Sequence, residues 1–262
     1  MKEDFRRSRK HLLDLLDRED FPQVFNQLLK GSGAIVSDKD ARQPKGQADP
    51  EEAELKDFGP QLDPSFDWES FEQWWLPHRS RNSKTPTWDL LTTCTFDDER
   101  KGLVLVEAKA HKTELDCNVK RLLVNASENS RINHDRIGQC IEDCRMILNQ
   151  HIPGVNISRD SHYQLANRVA FACRLAQCGF PVVLMYLGFL GDTGIPAYCF
   201  PFQDNDHWQR AMREYMAGVL PPHFLDQRIE LPSGGSMRML IRSIQIIQST
   251  QPLKKSTCLS PQ

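Results

Sequence analysis

The amino-acid sequence predicts an α/β fold in which helices flank a mixed central sheet. Two apolar segments separated by a polar turn are typical of an antiparallel β-hairpin. Two amphipathic helical stretches follow, and then an almost unbroken apolar run of strand length, which is typical of a central strand covered on both faces. A crossover from the hairpin through helix to this run gives an α/β core. At 262 residues and 39% hydrophobic content, the chain suits one decorated domain.

The chain begins with a helical segment and a connector. Residues 1–36 contain an apolar series from Phe5 to Leu29, which predicts one or two helices that pack on the domain or on a second copy. Residues 37–64 are charged, poor in aliphatic residues and interrupted by prolines. We therefore expect a mobile or irregular connector in this second segment.

The core domain is predicted to span residues 65–247 and to begin with a helix. The tripeptide Asp-Pro-Ser, ending at Ser65, is an N-cap signal, and Pro77 closes the helix, which would cover 66–76. At helical spacing the aromatic residues form one broad apolar stripe with Glu72 at its border. The stripe consists of Trp68, Phe71, Trp74 and Trp75.

A β-hairpin is predicted next. Trp88 to Phe96 and Leu103 to Ala110 are rich in apolar and β-branched residues, and the polar segment between them ends in glycine. The midpoint between Asp89 and Glu107 is position 98, inside the polar turn. These two carboxylates therefore meet across neighbouring strands.

Helices and strands alternate after the hairpin. Apolar residues at helical spacing predict two helices packed on the sheet, and Gly179 stops the second. A further helix, a second hairpin and a disordered tail complete the chain. The predicted ranges are 132–149 and 163–177 for the two helices, 181–190 for the central strand, 204–218 for the next helix, 227–231 and 236–247 for the hairpin strands, and 248–262 for the tail.

The polar residues at the ends of the first hairpin are the strongest candidates for a site. Glu107 and Lys109 are two residues apart on a strand, so their side chains leave the same face of the sheet. Asp89 and Glu107 would repel each other at cross-strand distance unless a positive charge lies between them. Hard oxygen ligands in small number suit Mg²⁺ or Mn²⁺ better than zinc. The pattern thus indicates metal-assisted hydrolysis.

The order Asp89, then Glu107-Ala-Lys109 on the next strand, resembles the PD-(D/E)xK phosphodiesterase superfamily, which has the restriction-endonuclease-like fold. The resemblance covers Pro64 to Leu190, and its one departure is that Trp, not Pro, precedes the aspartate. It implies that Asp89 and Glu107 hold Mg²⁺ or Mn²⁺, and that Lys109 orients or deprotonates the attacking water and stabilises charge on phosphorus. The N-terminal helices and the C-terminal hairpin would be additions to this core.

Three further sets of residues are candidates with a structural alternative. Glu72 would complete the site from its helix or be a solvated helix residue. His111 shares the strand face of Lys109 and would touch the phosphate or lie at an edge. Four cysteines could ligate a metal, but their spacing is not that of zinc knuckles and most coincide with apolar stripes, so core packing explains them better. They are Cys140, Cys144, Cys173 and Cys178.

Net charge gives no global support to nucleic-acid binding, because the formal charge is −2. Basic residues cluster locally at 6–10, at 78–81 and at 109–121, either as a phosphate-binding surface or as ordinary solvated charges. The chain lacks an apolar run of membrane-spanning length and a signal peptide, and its scattered cysteines fit free thiols. We therefore expect a soluble, cytoplasmic protein with no membrane partner.

The sequence predicts a Mg²⁺-dependent nuclease that hydrolyses phosphodiester bonds, with DNA as its nucleic-acid partner. Two alternatives stay open: a non-catalytic binding or scaffold protein that keeps the nuclease fold, and a hydrolase directed at RNA or nucleotides. Cutting both strands of a duplex with one site per chain often calls for two copies, so a homodimer is one expectation. A bacterial defence, restriction or repair setting would follow by analogy with the superfamily.

Overall fold

The strands form one large sheet and a small two-stranded one in the computed structural model, which describes residues 7–80 and 83–246. The predicted tail, the end of the second hairpin at Ile247, and the basic residues Arg6 and Arg81 lie outside this range. The strands are β1 (Ala34–Ile35), β2 (Arg42–Gln43), β3 (Ala53–Glu54), β4 (Thr87–Trp88), β5 (Leu90–Phe96), β6 (Lys101–Lys109), β7 (Pro181–Leu190), β8 (Arg228–Glu230) and β9 (Ser236–Gln245).

The helices lie between these strands in chain order. They are α1 (Arg7–Leu16), α2 (Phe21–Leu28), α3 (Leu55–Phe58), α4 (Trp68–Trp75), α5 (Glu128–His151), α6 (Tyr163–Gln177) and α7 (Asn205–Met216). None of the helices in the described residues combines the length and the apolar character that crossing a bilayer requires.

The large sheet is mixed, as predicted. Its strand order is β1-β5-β6-β7-β9-β8, with β2 also paired to β5. The pairs β5·β6 and β8·β9 are antiparallel, whereas β6·β7 and β7·β9 are parallel. The predicted α/β class with a mixed sheet flanked by helices is confirmed at this level. The restriction-endonuclease-like topology stays a prediction.

The hairpin of β5 and β6 has the register that the sequence predicts. Its pairs run from Leu90 opposite Val106 to Thr95 opposite Lys101, so every pair centres on position 98. This register places the backbone just before Leu90 beside the end of β6. The predicted site residues depend on that alignment.

Both faces of the sheet are covered, and β7 is buried along its whole length. On one face, Leu105 and Leu184 pack with apolar residues of α4, α5, α6 and α7. On the other, Val104 and Val183 pack with α1 and α2, whose buried side chains include Phe25. The N-terminal helices therefore form the second covering layer of the same domain.

The second hairpin is more central than predicted. Strand β9 pairs with β8 as expected, but it also pairs in parallel with β7 from Pro181 opposite Ser236 to Leu190 opposite Gln245. It lies inside the sheet and is not an appended extension. The reason is that β7, which is apolar on both faces, needs a hydrogen-bonded neighbour on each side.

Two local features differ from the sequence reading. Helix α4 begins after Asp67, whose side chain accepts a hydrogen bond from Ser70 N at 2.9 Å, and Ser65 instead bonds Asp63 in the preceding turn. Residues 37–64 contain β2, β3, α3 and a 3-10 turn, and they bury Leu55 and Phe58 in the core. The segment is thus made of short elements fastened to the domain.

Candidate active site

Asp89, Glu107 and Lys109 lie together at one end of the β5·β6 hairpin. Asp89 occupies the bend between β4 and β5, and its Oδ2 accepts a hydrogen bond from the backbone N–H of Ala108 at 2.7 Å. Glu107 and Lys109 are the last acidic and basic residues of β6 and point to the face covered by α6. The structure therefore brings the three predicted side chains to one place.

Glu107 is held between two cations. Its Oε1 accepts a hydrogen bond from Lys109 Nζ at 2.6 Å, and its Oε2 accepts one from Arg168 Nε at 2.7 Å. The residue is only 2% exposed. Burial acts to raise the pKa of this carboxyl, but the adjacent Arg168 and Lys109 charges outweigh burial and hold the pKa below its usual value. Glu107 is therefore ionised.

Arg168 lies on α6 and connects Glu107 to the strand that precedes Asp89. Its Nη2 donates to the carbonyl oxygen of Thr87 at 2.9 Å, and its guanidinium lies 4.4 Å from the centroid of the Trp88 ring. The planar guanidinium thus binds a carboxylate, a carbonyl and an aromatic face at once, which a lysine could not do. This arrangement fixes both the Glu107 carboxylate and the backbone leading into Asp89.

Lys109 has a second partner on the same helix. Its Nζ donates to Gln164 Oε1 at 3.0 Å, and Gln164 precedes Arg168 by one helical turn. The lysine is 6% exposed and its ammonium is held by one carboxylate and one amide. One face of α6 therefore sets the positions of both strand residues, which no spacing in the hairpin could reveal.

Asp89 has an unusual protonation equilibrium. Burial, with the negative charge of Glu107 in second place, raises its pKa to about 8, against the opposing effects of Lys109 and the Ala108 N–H. Two carboxylates near each other share a proton when no cation lies between them. Taken over the whole residue, Asp89 is half-buried. A bound cation would replace that proton.

We expect the stability of the metal-free protein to fall as pH rises from about 4 to about 8. Because folding raises the pKa of Asp89 from its ordinary 3.8 to about 8, the folded state binds more protons in this window than the unfolded state. The contribution is fully present below the unfolded pKa and is lost through the folded pKa. Urea unfolding in EDTA at a series of pH values measures it.

The asparagine variant tests whether Asp89 causes this trend. Asparagine has the shape of the protonated acid but cannot ionise, so Asp89→Asn should flatten the fall in the free energy of unfolding across that window. The exposed Asp38→Asn serves as the control and should keep the wild-type slope. An unchanged slope in Asp89→Asn would show that another group carries the pH dependence.

Two carboxylates at one hairpin end are oxygen donors of the kind that a hard divalent cation prefers. In the described ranges Oδ1 of Asp89 accepts no hydrogen bond, and the hydroxyl of Tyr186, opposite Glu107 in the β6·β7 register, is buried without a partner. Carboxylate oxygens are the ligands that Mg²⁺ prefers. Asp89 and Glu107 would hold the ion, and Lys109 would then leave Oε1.

The cation would depend on water and substrate for its remaining ligands. Within residues 7–80 and 83–246, no group of three or more His, Cys, Asp or Glu side chains is arranged to hold a metal. The predicted set contains two carboxylates, Asp89 and Glu107. Mg²⁺ usually keeps several waters and takes one or two carboxylates plus phosphate oxygens, so two protein ligands are in its normal range.

Glu72 is not in contact with these three side chains. It is 3% exposed and lies 3.0 Å from Lys56 Nζ, and Arg79 Nη1 donates to its Oε2 at 2.8 Å. The alternative prediction, that Glu72 is a solvated helix residue, is wrong as well. Glu72 is instead buried in a separate cluster of charges with Lys56 and Arg79. This cluster ties α4 to α3 and to the segment after α4.

His111 is buried and has its own partners. Its Nδ1 lies 2.8 Å from Thr113 Oγ1, and its Nε2 lies 3.5 Å from Glu114 Oε1. Burial lowers the pKa of the imidazole more than the Glu114 charge raises it, so the ring is neutral at pH 7. The structure does not bring His111 into contact with Asp89, Glu107 or Lys109. In this conformation, the structure therefore does not support contact between His111 and a phosphate.

The remaining candidates have structural surroundings. Cys140, Cys144 and Cys173 lie in the apolar core, where Cys140 Sγ is 2.9 Å from the carbonyl oxygen of Trp74. Of the local basic residues, Lys112 is paired with Glu214 at 2.7 Å and Arg79 is paired with Glu72. These cysteines are part of the apolar core. Two residues of the predicted basic surface are already paired with acidic side chains.

Arg168 and Gln164 were missed by reasoning from the sequence. Arg168 carries a usable signal, since it interrupts the buried apolar series of α6, where an unpaired charge would be costly. An arginine at such a position predicts a buried acidic partner. Gln164 carries no comparable signal, because glutamine is ordinary in the first turn of a helix.

No family model, no curated protein and no solved structure matches this chain. The resemblance of Asp89 and Glu107-Ala-Lys109 to the PD-(D/E)xK superfamily therefore stays a prediction made from those residues.

Proposed function

We propose that this chain is a metal-dependent phosphodiesterase that cleaves DNA, with Asp89, Glu107 and Lys109 as its catalytic residues. The observation that carries the proposal is the convergence of two carboxylates and one ammonium at a single hairpin end. A phosphodiester is an anion that repels hydroxide, so its hydrolysis needs both neutralised charge and a generated nucleophile. This set of side chains offers both.

The side chains have separable tasks in the proposed reaction. Asp89 is fixed through Oδ2 by the Ala108 N–H, and its Oδ1 would be the metal ligand. Lys109 donates hydrogen bonds to the attacking water or to a phosphate oxygen, and Gln164 orients its ammonium. Arg168 keeps Glu107 ionised and in place. When bound, Mg²⁺ or Mn²⁺ supplies charge neutralisation and makes water a better nucleophile.

The first experiment is a cleavage assay. Plasmid and single-stranded DNA are incubated with the protein and Mg²⁺, Mn²⁺ or EDTA, in parallel with Asp89→Ala and Lys109→Ala. We expect cleavage by the wild type with either metal and none in EDTA. Both variants should be inactive under the same conditions. Equal cleavage by all three proteins would place the activity elsewhere.

A second candidate function is a non-catalytic binding or scaffold protein with this fold. It is favoured by the low exposure of Glu107 and Lys109, 2% and 6%, and by the pairing of both Glu107 oxygens with cations. In that case the Glu107 carboxylate and its two cations, Lys109 and Arg168, stabilise the fold. The wild type would then cleave neither substrate under any metal condition, and Asp89→Ala would bind DNA as the wild type does.

A further inference from the structure

The segment between β6 and α5 exposes apolar side chains in a way that the fold does not require. Leu123 is 80% exposed and Val124 is 90% exposed, and they follow the partly exposed Leu122. We call Leu122–Val124 the apolar tip. Val119 and Ile132, which flank the tip in the sequence, are 41% and 40% exposed. Three consecutive exposed apolar side chains are a candidate interaction surface.

The apolar tip is held in one conformation by its own neighbours. Arg131, in the first turn of α5, donates from Nη2 to the carbonyl oxygen of Val124 and from Nε to that of Ala126, both at 3.2 Å. The N–H of Ala126 bonds the carbonyl oxygen of Leu123 at 3.0 Å. The tip is therefore ordered before anything binds, which lowers the entropic cost of binding.

The base of the tip is fastened beside the candidate active site. The N–H of Tyr163 bonds the carbonyl oxygen of Asn118 at 2.9 Å, and the next residue, Gln164, holds Lys109. Lys120 N bonds the carbonyl oxygen of Arg159 at 3.0 Å. The start of this segment is therefore fixed to α6, the helix whose Gln164 holds Lys109.

The charges around the tip favour a polyanion. From Asn118 to Asn133 the segment carries three cations, Lys120, Arg121 and Arg131, and one anion, Glu128. The ammonium of Lys120 lies 5.1 Å from the centroid of the Tyr163 ring. Basic residues on both sides of exposed apolar side chains are suited to phosphates flanking a base step.

We propose that the apolar tip is a wedge that inserts Leu123 and Val124 between base pairs of duplex DNA bound at the candidate site, an inference that rests on the proposed function. The tip is aliphatic, and the stretch from Val119 to Ile132 contains no aromatic residue. Platforms for single strands stack bases on aromatic rings, whereas aliphatic wedges unstack and kink a duplex. The occupant is therefore a duplex.

The test measures base unstacking without cleavage. A DNA duplex containing 2-aminopurine is titrated with the wild type in EDTA, and the fluorescence of the base analogue is followed. The wild type should increase the fluorescence, and Leu123→Ser/Val124→Ser should reduce that increase about fivefold or more while phosphate contacts persist. Met146→Ser, an equivalent change at a 57% exposed position on α5, should match the wild type.

Each other outcome has a distinct meaning. Duplex binding with no fluorescence change, or with equal change in the double variant, overturns the wedge but leaves the proposed cleavage standing. Unstacking by a protein that never cleaves DNA supports the wedge and overturns catalysis. If the wild type sediments with phosphatidylserine vesicles and the double variant does not, the tip binds a membrane. If the wild type is a dimer and the double variant is a monomer, the tip binds a second copy of the chain. Either result, or no binding of the duplex at all, overturns the wedge.

Discussion

Lys109→Met is expected to lower the single-turnover rate of DNA cleavage by about 10²–10⁴-fold, the range for loss of a positioned proton-transfer or charge-stabilising group. Methionine keeps the length and apolar stem of lysine, so the packing beside α6 changes little. It removes the ammonium that lies 2.6 Å from Glu107 Oε1. Mg²⁺ should bind at least as tightly as in the wild type, because the ammonium no longer competes for that oxygen.

A slower cleavage rate together with an unweakened affinity for Mg²⁺ identifies the role of Lys109. Single-turnover gel assays give the rate, and isothermal titration calorimetry with Mg²⁺ gives the affinity. Lys112→Met is the matched control, since Lys112 is half exposed and paired with Glu214 outside the site, and its rate should stay near the wild-type value. A Lys109→Met protein that cleaves DNA within a few-fold of the wild type would contradict the proposed role.

Arg168→Leu is expected to lower the free energy of unfolding by about 3–5 kcal/mol, because it leaves the Glu107 carboxylate buried with one cation fewer. The variant also lacks the hydrogen bond from Arg168 to the Thr87 carbonyl oxygen and the contact of Arg168 with the Trp88 ring. Urea unfolding at pH 7 measures the change. Adding Glu107→Gln should recover part of it, since the neutral amide no longer needs a cation.

An ion pair on the neighbouring helix that is more exposed than Arg168–Glu107 provides the comparison. Arg145 and Glu142 pair on α5 with side chains 35% and 44% exposed, so Arg145→Leu should cost about 1 kcal/mol or less. Equal losses in the two arginine variants would mean that the Arg168–Glu107 pair is not specially dependent on burial. No recovery in the double variant would mean that Arg168 acts through its backbone and aromatic contacts alone.

The hairpin and the elements after it were readable from the sequence because their patterns are local. Position 98 was identified as the hairpin centre since polar residues and a glycine separate two apolar runs. The bounds of α6 and β7 agree with the predicted ranges 163–177 and 181–190. Gly179, with φ +95°, lies between them and ends the helix before the strand begins.

The partners of the site residues were not readable, because they come from long-range packing. Arg168 is 61 positions from Glu107, and Gln164 is 55 from Lys109. No period within β6 or within α6 specifies which residue of the helix faces which residue of the strand. That choice depends on how α6 is placed on the sheet, which is set by the fit of its apolar side chains.

The position of β9 could not be predicted for a similar reason. Its alternation and the Pro-Ser-Gly-Gly turn indicate a hairpin with β8, and the structure has that hairpin. A strand pattern specifies which face is buried but not which strand lies alongside. The pairing of β9 with β7 spans the chain from Pro181 to Gln245 and includes all of α7.

The location of β9 has a consequence for how the chain acquires its structure during translation. Strand β7 emerges from the ribosome well before β9, whose residues 236–245 are made only after α7 and β8. Until then one edge of the most apolar strand has unsatisfied amide and carbonyl groups, a template for pairing with other nascent chains. Completion of the domain must therefore wait for this last strand, and chaperone protection would matter most in that interval.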